Sequence, residues 1–268
     1  MSFISTIKLL APGKLILAFF LLVALRAAHS QEQVVPAESL RVGDSVSGAV
    51  KYGRRIITLP AGTWRLTTYK ERDSSTSGGG ATMLDASFDE IVDGRLDRLL
   101  LISATKYSRN LNWIDEPCKT KGDAYWIDDR KRGFNDQFCI RVGYLSGVVD
   151  GARGEDYQTW ARNIVAQGIK YSPDMPFVTV TKYTNYDFLA MRIAFNPEPY
   201  GTARSKRPER TFNDWNPSSV SLGTERKKIY EALKDWAPAY AAAVSRAFDG
   251  DAGLSSKDFG EPSLEKAP

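Results

Sequence analysis

The dipeptide Asp93-Gly94, set between two apolar-rich runs, constrains this chain more than any other feature. A two-residue hairpin turn of the favoured hand needs positive φ at both central positions, and Asp-Gly adopts that geometry with little strain. The turn predicts a register. Val92 faces Arg95, Ile91 faces Leu96, Glu90 faces Asp97, Asp89 faces Arg98 and Phe88 faces Leu99. Leu84, Ala86, Phe88, Leu99 and Leu101 then form one buried stripe.

Period-two alternation recurs elsewhere and predicts more strands. Arg54 to Leu59 and Thr63 to Glu71 flank Pro60-Ala61-Gly62, which reads as a short hairpin connection, whereas Asp73 to Gly80 is too polar and glycine-rich to bury itself and reads as a mobile loop. Phe138 to Val149 is a further strand. Phe177 to Tyr183 and Phe188 to Phe195 pair about Thr184 to Asp187. At Glu155 the period lengthens: Tyr157, Trp160, Ala161, Ile164 and Val165 share a helical face, and a second helix begins near Thr224 with Ile229, Leu233, Trp236, Tyr240 and Val244 as its apolar side. Pro238 should kink or divide that helix. The expected fold is one α+β domain over residues 31–248, with a mostly antiparallel sheet of about seven strands, two packed helices and one disulfide. Residues 249–268 read as a disordered polar tail.

The first 30 residues read as a separate element. Lys8 and Lys14 precede the apolar run 15–25, and Ala28-His29-Ser30 puts small residues where a signal peptidase reads them. Those 11 apolar residues fall short of the ~20 that cross a bilayer as a helix. A cleaved secretory signal is expected, with a periplasmic or secreted product and no stable membrane span after processing. Loss of Lys8, Lys14 and Arg26 takes the 36 basic residues to 33 against 32 acidic ones, a net charge of +1. A nearly neutral chain offers no global attraction for nucleic acid.

The only histidine, His29, leaves with the signal. Imidazole is the commonest proton shuttle and metal ligand near neutral pH, so its loss excludes Ser-His-Asp and Cys-His triads and His-ligated zinc. No P-loop, dinucleotide glycine pattern or zinc knuckle occurs, so neither cofactor nor metal is implied. Cys118 and Cys139 are the two cysteines, and in an oxidising compartment such a pair is expected to form a structural disulfide.

Two candidate sites emerge. The hairpin register opposes Glu90 and Asp97, and carboxylates at cross-strand distance push one pKa upward, as acid/base work and glycoside hydrolysis require. Trp113, Tyr125, Trp126 and Phe134 crowd the cysteine segment, where aromatic platforms could bind a sugar or a protein. The sequence therefore favours an exported, non-catalytic binding protein with a protein or glycan partner in the envelope or outside the cell. The alternative is a histidine-independent hydrolase that uses Glu90 and Asp97 on an envelope or extracellular glycan.

Overall fold

A computed structural model describes residues 33–76, 79–109, 124–133, 136–151, 155–202, 214–217 and 224–266. The strands are β1 (Val34–Pro36), β2 (Ser45–Val46), β3 (Ala49–Tyr52), β4 (Arg55–Thr58), β5 (Trp64–Thr76), β6 (Gly79–Val92), β7 (Arg95–Arg109), β8 (Ala124–Gly133), β9 (Asp136–Ser146), β10 (Asp174–Thr184) and β11 (Phe188–Phe195). The helices are α1 (Glu155–Ala166) and α2 (Thr224–Asp249).

Eight strands form one antiparallel sheet in the order β2-β5-β6-β7-β11-β10-β9-β8, and β1, β3 and β4 form a second sheet in which β1 and β3 run parallel. The expected single sheet of about seven strands is thus corrected to two sheets. Part of the difference lies at Pro60-Ala61-Gly62. The chain changes sheets there: β4 pairs with β3, and β5 pairs with β2 and β6. A second part lies at the expected loop Asp73 to Gly80, where β5 and β6 stay paired out to Thr76 and Gly79. The disulfide is also withdrawn from the fold: Cys118 lies outside the described residues, which hold no complete Cys118–Cys139 bridge, and Cys139 is buried on β9. The proposed signal, residues 1–30, lies outside the described residues as well.

Alternation along the strands gives the large sheet two different faces. Leu84, Ala86, Phe88, Leu100, Ile102, Met191, Ile193, Val178, Val180, Ile140 and Val142 point to one side and pack under α2, whose Leu233, Ala237, Tyr240, Ala241 and Val244 are fully buried. The helix is continuous through Pro238, an exposed position, instead of dividing there. On the other side α1 covers only one end, above Leu96, Leu99, Met175, Phe177 and Ala194. Asp89 pins it there, accepting from Trp160 Nε1 at 2.8 Å and from Arg65 through two bonds of 2.9 and 2.7 Å. Among the described residues no helix is long and apolar enough to cross a bilayer.

The expected disordered tail is also corrected. After α2 the chain turns back, inserts Leu254 and Phe259 into the core, and forms a short 3-10 turn over Ser256–Phe259. Asp258 accepts the Ser255 backbone N–H at 2.8 Å, and Trp236 Nε1 donates to the Phe259 carbonyl at 2.9 Å. Two apolar anchors and these bonds are enough to offset the entropy of ordering a short polar segment.

Candidate functional site

The turn at the tip of the β6–β7 hairpin has positive φ at Asp93 (50°) and Gly94 (70°). Pairing follows the expected register only to Ile91 opposite Leu96. A bulge then lets Glu90 face Arg98, and Asp97 becomes the extra residue. Glu90 and Asp97 are therefore not directly opposed.

What replaces the acid pair is a cluster centred on Arg98. Its Nε donates to Glu90 at 2.5 Å, its two terminal nitrogens donate to Glu261 and to the Ala61 carbonyl at 2.8 Å each, and its guanidinium lies 5.0 Å from the Trp64 ring. Arg98 and Glu90 are only 11% and 13% exposed, so the pair is well shielded. Gly62 fits against it because it has no side chain: at φ +143° a Cβ would meet Glu90 Oε1 at 2.5 Å. Asp97 keeps a raised pKa, first because of burial and also because of Glu90, with Arg98 opposing. Glu90, held by Arg98, is a fastening between the hairpin base and the tail.

The aromatic residues divide in two. Trp113 and the Phe134 side chain, like Cys118, lie outside the described residues. Tyr125 and Trp126 are half-buried against the α2 core. Tyr125 stacks on Tyr230 with ring centroids 4.4 Å apart and planes 4° from parallel, and it donates its hydroxyl to Glu231 at 2.5 Å. Burial and that carboxylate push the phenol up to about 12, so it stays a donor at neutral pH, and its bond holds Glu231 below the usual carboxylate range.

Glu231 leads to a feature the sequence reading missed. Between the first half of α2 and the tail lie two adjoining cavities of about 680 and 540 Å³. Helical spacing puts Lys228, Glu231, Ala232 and Asp235 along one wall. Glu261, Ser263 and Leu264 form the opposite wall, and Trp236 closes the first cavity while Tyr200 closes the second. Lys228, Ala232 and Ser263 line both. Small-molecule sites run from roughly 300 to 1,000 Å³ and combine apolar walls with a few convergent polar groups. This cleft has that form. Its visible sequence signal was the pair Leu254 and Phe259, which gives the tail something to bury.

Among the described residues no group of three or more His, Cys, Asp or Glu is placed to hold a metal ion. No protein-family model and no curated protein matches the chain. Among solved structures, the crystal structure of the possible transcriptional regulator YydK from Bacillus subtilis aligns with 70% of this chain and 80% of that one at 9% identity, with a TM-score of 0.25, too loose a superposition to carry an argument.

Proposed function

We propose that the processed chain is an exported, non-catalytic binding protein of the periplasm or the extracellular space, and that the cleft between α2 and the tail receives its ligand. The observation that carries this reading is the pair of adjoining cavities meeting at Lys228, Ala232 and Ser263. Both signs of charge line them beside Ile229, Leu264 and Trp236, which suits a ligand with a charged end and an apolar body. Tyr125 supports the cleft from behind through Glu231. The hydrolase alternative draws no support from this geometry, since Glu90 is tied to Arg98 and Asp97 occupies a bulge.

Small amphipathic ligands screened against the mature protein by chemical-shift perturbation should move Ala232 and Ser263 together. Ala232→Trp fills the common wall and should abolish binding of those hits while leaving the melting temperature close to that of the parent. Hits that bind Ala232→Trp equally well would overturn the assignment. Intact mass of the exported protein should match a chain beginning at Gln31.

A further inference from the structure

A guanidinium inside a folded domain ordinarily meets a carboxylate. This molecule follows the rule with Arg65 on Asp89 and Arg98 on Glu90. Arg192, in the central strand β11, breaks it. Its Nε donates to Thr179 Oγ1 at 2.7 Å and its guanidinium lies 4.4 Å from the centroid of the Phe177 ring. The two terminal nitrogens have no hydrogen-bond partner among the described residues, although part of the side chain is open to solvent.

The register around it is informative. Leu101, Arg192, Thr179, Arg141 and Ile127 stand side by side across β7, β11, β10, β9 and β8, on the face that α1 only partly covers. Burial lowers the Arg192 pKa to about 10, the Arg141 cation lowers it further, and Tyr157 opposes. The neighbouring row is Asp85, Ser103, Ala190, Thr181, Cys139 and Asp129. Asp85 is already held by Arg72 and Ser103, and Asp129 stands three strands away from β11. Beside Arg192 that row is short, with Ser103, Ala190 and Thr181 leaving room above the guanidinium.

We infer that Arg192 and Thr179, with Arg141 on the next strand, form an oxyanion-binding site on the open part of the α1 face, independent of the α2 cleft. The terminal nitrogens of Arg192 supply two parallel donors. Thr179 accepts the Arg192 Nε–H and so keeps its own hydroxyl proton to donate. Arg141 adds a second positive charge, and the Phe177 ring fixes the guanidinium plane beforehand. Such a site takes a carboxylate or a phosphate-type group on a ligand small enough to lie between Leu101 and Ile127.

The test is thermal unfolding of the full mature chain in sodium phosphate, sulfate or citrate against sodium chloride at matched ionic strength. A saturating ligand should raise the melting temperature by roughly 5 °C. Arg192→Met should melt at or above the parent temperature, because a neutral side chain of similar length relieves the unpaired charge, and should lose the ligand-dependent rise. That variant also removes the general stabilisation that excluded salts give every protein. A response to phosphate and sulfate alone assigns a tetrahedral ligand, and a response to citrate alone assigns a carboxylate. No rise beyond chloride, or an equal rise in Arg192→Met, overturns the site. If Arg192→Met fails to fold, the Arg192 Nε–Hε resonance of the parent should still move on titration, and a stationary resonance is equally fatal.

Discussion

The two faces of the large sheet are covered by helices of unequal length, 26 residues in α2 and 12 in α1, and the side chains beneath them differ accordingly. Under α2 the strands present an apolar surface from β6 to β9, and burial alone holds the layers together. Under α1 the apolar patch is confined to one end, and the helix is fixed by a buried carboxylate that binds an arginine and an indole together. A short helix cannot bury enough area to dock without directional bonds. The face it leaves open is where the polar rows persist.

Substitutions on the two faces should therefore fail for different reasons. Leu233→Ala removes a fully enclosed side chain from α2, and chemical denaturation should show a loss of about 4 kcal/mol, with a cavity that the packed sheet cannot close. Asp89→Ala should be slightly milder, about 3 kcal/mol, because Arg65 is 29% exposed and can recover water once its partner is gone. The signature there is local: amide exchange should accelerate in α1 and leave α2 unchanged. If both helices loosen equally, the two faces are not separable. Trp160→Phe keeps the ring and deletes one donor to Asp89, so it should lose only about 1 kcal/mol.

Asp97→Asn should have the smallest effect and the opposite sign. Its folded pKa lies above the unfolded value of 3.8, so the native state holds the proton longer. Native stability associated with this group is present below the unfolded pKa and is lost as pH rises through the folded one. The Asn variant should consequently melt slightly higher than the parent at pH 7, and the gap should close below about pH 4. A gap that widens on acidification would mean that Asp97 is stabilised as an anion.

Much of this architecture could be read from the residues, and the failures have definite causes. Helices α1 and α2 begin where the period lengthens, and β10 pairs with β11 about the expected turn, because one face of each element is cleanly apolar. The bulge at Asp97 was hidden because β7 contains the unbroken run Leu99-Leu100-Leu101-Ile102, which is apolar on both faces. Alternation cannot choose a register in such a run: Leu100 and Ile102 pack under α2, while Leu99 and Leu101 pack on the α1 side. The change of sheet at Pro60 to Gly62 was invisible because a turn signal states that the chain bends, without saying which strand it will meet. The α2 cleft needs a tail that reads as polar, and only its contacts with Trp236 and Arg98 show why it is ordered. Arg192 carried a signal that was passed over, a lone cation inside the apolar run Ala190 to Phe195.

The bond between Arg98 and Glu261 spans 163 positions and closes the hairpin base with nearly the last residues of the chain. Synthesis or threading from the amino end delivers Glu261 after every other element, so the base of the hairpin has no final anchor until the polypeptide is almost wholly released. A chain fused at its carboxyl end to a bulky passenger keeps its sequence, yet the strap that ends in Glu261 must then share its berth with whatever follows Pro268.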